Sequence, residues 1–517
     1  MLTGDICRVL VPDETYWSRQ YGGREGIPWK SVGTHLVAQC MAKGFYSPER
    51  LRGRGVWLDD GRVVAHLGDR VVVDGVVTEP ASIDSHYVYP QRAKFMGGVG
   101  RAKPLTDDIG RQFRAACRLV RWEKDVYGDL LAGWIAIAPI CGALPWRPHI
   151  WVTAPAGTGK TFVLENIIAW AISPMFVFAK GATTAAGLRG KLRADALPVI
   201  YDEAEANGLA AEQRMQGILQ FARNASQEGD AHEYKGTQTH DAVEFEVRSS
   251  LCASSIRVPL DQAADISRFS VLTMRKAASD TEQERADNEA HFAKLRAALA
   301  ALPSDFSQRL ISRQILNVQA IRATVELFSE QVARLAGDRR LGQQLGTLIT
   351  GCWSLVRHDV PTVEEAQDYL RRFNWSEFNE AKDAREDMDI FRYLSSRLIK
   401  FSSPSGKMVE RSLGEVCAVA ASMAVDDSYV PAAAEKILNR FGLRFHPVVG
   451  DVNGFALALK HDQLDELMGR SQYSKGWRRI IARHPQATTG DRDLLFGALR
   501  SPYVWVPAEV MVGSGRD

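Results

Sequence analysis

The chain has 517 residues, too many for one hydrophobic core, so about three domains are expected. Its 45% hydrophobic and 24% charged residues are those of an ordinary soluble globular protein, and 64 Lys and Arg against 62 Asp and Glu exclude a strongly basic coat without excluding a local basic channel. No apolar run reaches the roughly 18 residues of a membrane span, the first residues lack a signal-peptide pattern, and seven scattered cysteines without a CxxC pair point to reduced thiols in the cytoplasm and against a zinc module.

Residues 1–130 read as an α+β domain. Val32, Leu36, Val37, Cys40 and Met41 recur at helical spacing, and β-type runs follow at 56–58, 63–67 and 71–73. The pairs Asp60-Gly61, Gly68-Asp69 and Asp74-Gly75 punctuate them. Asp-Gly between such runs predicts a hairpin whose two central residues take positive φ. A small meander of this kind serves as a structural or oligomerisation module or as a collar around DNA, and its residues do not choose between these. Further on, Ile109, Phe113, Ala116, Cys117 and Val120 share a helix face, and 130–140 is apolar almost all round, as in a helix buried against a sheet.

Residues 131–275 read as an α/β core: a strand at 149–153, a Gly-rich loop, a helix at 161–172, then strands at 175–178, 197–201 and 251–254, ending near Met274. Residues 276–385 are rich in Ala, Leu, Arg and Glu and predict helices, among them 291–302 and 314–336; 377–389 reads as a charged helix or connector. Residues 386–517 alternate short helices with β-like pieces at 443–448, 454–459 and 503–506. That order suits a winged-helix-like α+β domain, and 513–517 reads as a frayed tail.

The loop is Ala154-Pro155-Ala156-Gly157-Thr158-Gly159-Lys160-Thr161. A triphosphate cradle needs small residues, so that successive backbone N–H groups turn inward, a lysine for the β and γ phosphates, and a hydroxyl for magnesium. Gly157 and Gly159, Lys160 and Thr161 supply these, and the helix beginning there adds its positive N-terminal end. Ala154 stands where the strict pattern has glycine. These eight residues are the expected ATP site. Asp202, 42 residues beyond Lys160, ends an apolar strand and is followed by Glu203. Asp202 is expected to hold Mg²⁺ with Thr161, and Glu203 to polarise the attacking water, which points to hydrolysis rather than transfer to an acceptor hydroxyl.

The acidic pair, the segment His232-Glu233-Tyr234-Lys235-Gly236-Thr237, residues 249–255 and Asp265-Ile266-Ser267-Arg268-Phe269 follow in that order. The set resembles the AAA+ helicases of superfamily 3, most closely the helicase portion of phage and plasmid primase-helicases. The resemblance is sharpest over 130–275 and extends weakly to 53–75, 337–344 and 505–507. It implies an AAA+ P-loop ATPase core, a homo-oligomeric ring (a hexamer), ATP and Mg²⁺ as cofactors, and DNA, single strand or fork, as partner in replicating a mobile element. No zinc ribbon or acidic primase site precedes the core, so the chain reads as the helicase half alone, served by a separate primase.

The resemblance also implies residue roles. Lys235, with His240, lies on a hairpin that projects into the ring's pore and contacts the DNA backbone. The sensor position, usually Asn, falls on Ser254 or Ser255. Arg268 occupies the arginine-finger position, reaching the γ-phosphate held by a neighbouring subunit, with Arg257 as a competitor; Arg339 and Arg340 are candidates for a second sensor. An ATP-switched replication initiator or helicase loader, binding DNA without unwinding it, would use the same motifs. Tyr234 keeps open a remodelling ATPase acting on a partner protein, although a basic, aromatic-poor hairpin counts against it.

Overall fold

The computed structural model describes residues 3–42, 50–95, 102–205, 209–227, 233–236, 242–245, 247–260, 262–277, 281–373, 390–402, 406, 408–426, 429–446, 452–469, 473, 476–484 and 486–512. The chain divides into two compact units. One comprises Met1–Val258, Arg268–Ser329 and Gln343–Pro361; the other comprises Pro259–Ser267, Glu330–Gly342 and Thr362–Asp517.

In the first unit, helices Gly4–Leu10, Glu14–Tyr21 and Trp29–Ala42 gather around Cys7, Trp17 and Val32. An antiparallel meander follows: β1 (Gly55–Asp59), β2 (Arg62–His66), β3 (Val71–Val73) and β4 (Val76–Thr78), paired in chain order. Both Asp-Gly turns have the expected conformation, with φ of 53° and 75° at Asp60 and Gly61 and of 46° and 87° at Asp74 and Gly75. The strand β4 was not among the expected elements.

Behind the meander lies a five-stranded parallel sheet of β5 (His149–Thr153), β6 (Val177–Lys180), β7 (Val199–Asp202), β10 (Leu251–Ser255) and β11 (Phe269–Thr273), in the order β11-β5-β10-β7-β6. Between β7 and β10 runs the hairpin of β8 (Glu233–Gly236) and β9 (Ala242–Phe245), with Lys235 opposite Val243. The inner strands β5, β7 and β10 are buried throughout, which is why they read as unbroken apolar runs instead of alternating ones. Two expected boundaries shift. The strand expected at 197–201 begins at Val199, because Pro198 has no N–H to donate; its carbonyl accepts from Val177, where β6 begins.

A helical run follows β5 as Lys160–Phe162, a π-wound Val163–Ala169 and Trp170–Ile172. Helices Ala185–Leu192 and Leu209–Ala225 follow β6 and β7. The segment Val126–Ala143, contrary to the sequence expectation, is long and apolar enough to cross a membrane; it is instead buried in this unit. The helix expected at 314–336 is two, Phe306–Leu316 and Val318–Ala336. The first ends at Asn317, just past Arg313, whose buried guanidinium donates to the carbonyls of Leu105, Ser354 and Arg357.

The meander is fastened to the residues that lead into β7. Gly53 N–H donates to the Ala194 carbonyl, Ala196 N–H to that of Arg54, and the Asp195 carboxylate accepts from Arg54 N, Nε and Nη2 at 2.7, 3.0 and 2.7 Å. A Cβ on Gly53 would lie 2.5 Å from the Ala194 carbonyl carbon, so only glycine permits this approach.

The second unit holds β12 (Leu398–Ser402) and β13 (Met408–Ser412) as one hairpin, and β14 (Leu443–Phe445), β15 (Gly454–Ala458), β16 (Thr488–Thr489), β17 (Leu494–Phe496), β18 (Leu499–Ser501) and β19 (Tyr503–Pro507). The sheet order is β14-β15-β19-β16, with β17 and β18 forming a separate hairpin. Helices Leu413–Ala420, Pro431–Arg440, Asp462–Gly469, Trp477–Arg483 and Ala508–Val512 complete it around Phe391, Val416, Phe455, Trp477 and Val504. The expected segments 377–389 and 513–517 lie outside the described residues.

Candidate active site

The sheet order brings three carboxyl ends side by side. Ala253 of β10 is opposite Tyr201 of β7, so Ser254 stands level with Asp202; Ser255 is opposite Thr153, the last residue of β5 before the loop. Lys180 of β6 is opposite Asp202, so Gly181 emerges beside Glu203. The carboxyl ends of adjacent parallel strands are where such sheets hold ligands.

Within the loop Gly157 and Gly159 have φ of 76° and 90°, and an added Cβ at either would meet no protein atom within 4 Å. Left-handed backbone, not crowding, therefore calls for glycine there. The Thr158 hydroxyl donates to the Pro155 carbonyl at 2.7 Å and ties the loop across itself. Residues 155–161 line a cavity of about 710 Å³ together with Gly181, Ala182, Asp202, Glu203, Glu205, Ala211, Arg214 and Ile256. That volume suits a ligand of cofactor size. Ala154, expected in the site, is buried under the loop and is not part of the cavity wall.

Asp202 and Ser254 are both buried, and the Ser254 hydroxyl donates to Asp202 Oδ1 at 2.6 Å. The same oxygen accepts Glu203 N–H at 2.9 Å, while among the described residues no donor meets Oδ2. Ser255, the other expected candidate, points elsewhere: its oxygen accepts from Trp151 Nε1 at 2.7 Å, and its hydroxyl donates to the Arg257 carbonyl. Adjacent strand residues face opposite sides of the sheet, so only one of the two serines can meet Asp202.

Glu203 is exposed and has φ of 58°, a conformation that side-chain-bearing residues rarely adopt. Its carbonyl lies 2.5 Å from where a Cβ on Gly181 would stand, so Gly181 is required for the acidic pair to pack against the end of β6. Tyr201 Oη lies 3.1 and 2.9 Å from the carbonyls of Gly181 and Thr183, and Arg214 Nε donates to the Gly181 carbonyl at 2.9 Å. Burial pushes the Tyr201 phenol above its usual range, opposed by the charge on Arg214. Glu205 Oε1 accepts Ile256 N–H at 2.6 Å and so closes the end of β10.

Magnesium needs hard oxygen donors, and two residues of the cavity wall fit that chemistry: Thr161, with its hydroxyl, and Asp202, whose Oδ2 meets no donor among the described residues. Among the described residues no group of three or more His, Cys, Asp and Glu stands close enough together to hold a metal ion by itself.

Sequence reasoning missed Arg214, Glu205 and the Gly181 turn. A signal for Arg214 was present: it falls on the helical stripe of Met215, Ile218 and Ala222, where an apolar side chain is expected.

The remaining expected residues are not in this cavity. Arg268 precedes Phe269, which is opposite His149 at the amino end of β5, so it stands roughly 16 Å of strand from its own loop. Its carbonyl accepts from His149 N–H and its Nε donates to Ser226 Oγ at 3.1 Å. Arg257, Arg339 and Arg340 are exposed. Lys235 lies within β8, whereas His240 lies outside the described residues.

No family model matches the chain, and no curated protein matches its sequence. Solved structures do. One described as "SCCmec type IV Cch - active helicase" is 12% identical, with a TM-score of 0.50 over 95% of this chain and 86% of that one. The apo A form of the NrS-1 C-terminal region is 15% identical over 69% of this chain and 96% of that one, with a TM-score of 0.26. The first likeness is one of fold: the chain has a helicase-like fold with a parallel five-stranded P-loop-type core.

Proposed function

We propose that the chain is an ATP-hydrolysing, ring-forming DNA helicase of the superfamily 3 AAA+ type, serving replication of a phage, plasmid or other mobile element beside a separate primase. The observation that carries the reading is the cavity in which the Lys160 loop, Asp202 and Glu203 converge while Ser254 holds one oxygen of Asp202. The fold shared with a protein described as an active helicase accords with it.

In this reading Lys160 and the N–H groups of the loop bind the β and γ phosphates, and the start of the helix at Lys160 adds its positive end. Bound Mg²⁺, held by Thr161 and Asp202, would neutralise charge on the phosphate oxygens. Glu203 takes the proton from the attacking water. Arg268, remote from its own loop, serves the γ-phosphate of an adjoining copy. Lys235, with His240, grips the DNA backbone, and hydrolysis moves that hairpin to draw a strand through a hexameric ring.

The test is unwinding of a forked DNA duplex by the full chain with ATP, beside Glu203→Gln. The wild type is expected to unwind; the variant is expected to bind ATP but lose roughly 10²-fold or more in turnover and unwinding together. Unwinding that survives this substitution sinks the mechanism. DNA and ATP binding without unwinding would favour the initiator or loader.

A further inference from the structure

We propose that Arg214 is a phosphate ligand acting within its own chain, one that makes the site favour a nucleoside triphosphate over a diphosphate; this rests on the nucleotide-site reading above. Arg214 occupies a position on helix Leu209–Ala225 where the burial stripe calls for an apolar residue, and it is half-buried there. Its Nε is committed to the Gly181 carbonyl at 2.9 Å. Among the described residues its terminal nitrogens meet no acceptor and no carboxylate comes within ion-pair distance, yet the side chain forms part of the cavity wall. A half-buried cation without an ion-pair partner is costly to keep, and a fixed guanidinium edge is suited to two oxygens of a phosphate.

The anchor shows which phosphate. Gly181 packs against Glu203 so closely that a Cβ would lie 2.5 Å from the Glu203 carbonyl oxygen. Glu203 marks the end of the site where water attacks, and therefore where the outermost phosphate stands; Lys160 and the loop hold the inner ones. A diphosphate ends before it reaches Arg214, whereas a triphosphate meets it. Arg268 of the same chain cannot take this role, because it stands at the opposite end of the sheet.

The experiment is calorimetric binding of Mg-ADP and of the non-hydrolysable β,γ-imido analogue of ATP to the full chain, to Arg214→Met, which keeps the aliphatic stem, and to Arg214→Lys. Arg214→Met is expected to weaken the imido analogue roughly 10- to 100-fold and ADP by less than about twofold. Arg214→Lys, a point charge without the fork, is expected to fall between. Should Arg214→Met not fold, Arg214→Lys carries the comparison, with a loss of about three- to tenfold for the triphosphate alone. Equal weakening of both nucleotides would show that Arg214 only braces the Gly181 turn, and unchanged affinities would overturn the inference as well. A Lys160→Ala control separates the two levels: if the wild type binds neither nucleotide, or Lys160→Ala keeps both, the nucleotide site itself is wrong and this role falls with it.

Discussion

Ser254 and Asp202, 52 residues apart in the chain, meet through a 2.6 Å hydrogen bond between the ends of adjacent parallel strands. The hydroxyl and the Glu203 amide both donate to Oδ1, so the carboxylate is held in one orientation, and among the described residues Oδ2 meets no donor.

Ser254→Ala should therefore loosen Asp202 without removing it. The loss of one hydrogen bond to a buried carboxylate costs about 1.5–3 kcal/mol, and the Mg²⁺ concentration giving half-maximal ATP turnover should rise roughly ten- to hundredfold. Ser255→Ala, whose hydroxyl serves Trp151 and the Arg257 carbonyl, should alter stability but not the Mg²⁺ requirement. Equal Mg²⁺ curves for wild type and Ser254→Ala would remove Ser254 from the site.

Arg268→Ala should bind ATP as the wild type does yet hydrolyse it roughly 10³-fold more slowly, because the residue lies at the far end of the sheet from its own loop. Mixing it with Lys160→Ala, itself inactive, should restore part of the activity, since some adjoining copies would combine an intact loop with an intact Arg268. Turnover measured across mixing ratios decides this; a flat, inactive series rules out a role across a subunit boundary.

Asp195 holds Arg54 by three hydrogen bonds, with only 10% of its side chain exposed. Asp195→Ala is expected to lower unfolding free energy by about 3 kcal/mol, since it strands both a guanidinium and a backbone N–H. Urea titration followed by tryptophan fluorescence measures this. Arg54→Lys should give a smaller loss, because an ammonium cannot fork across the carboxylate.

His149 is fully buried, its Nδ1 accepting Leu251 N–H at 3.0 Å and its Nε2 2.7 Å from the Ala222 carbonyl, a pairing that requires the neutral ring protonated on Nε2. Burial pushes its pKa down to about 3. The unfolded chain, with an ordinary value of about 6.5, takes up the proton first as pH falls. Stability present above pH 6.5 is thus lost down to about pH 3, by up to about 1.4 kcal/mol per pH unit. His149→Gln should be less stable at pH 7 but fall less steeply between pH 6.5 and 4, as denaturant titrations at each pH would show. Parallel slopes would contradict a neutral, buried His149.

What the sequence determined by itself was local. Both Asp-Gly turns, the Gly157 and Gly159 conformations and the apolar run ending in Asp202 follow from glycine freedom, turn chemistry and burial on both sheet faces, each confined to a few consecutive residues. Only the tertiary structure decided that Ser254 rather than Ser255 meets Asp202, because strand register is set by pairing between distant segments. It also divided the helix expected at 314–336 at Asn317, beside Arg313, whose acceptors lie on Leu105, Ser354 and Arg357. Arg214 illustrates the limit most directly. On its helix it reads as an arginine misplaced in an apolar stripe, and it joins the wall of the cavity only because β6 and β7 bring the Gly181 carbonyl and Glu203 beside it. A charge takes its meaning from what surrounds it, and those surroundings come from elements remote in the chain.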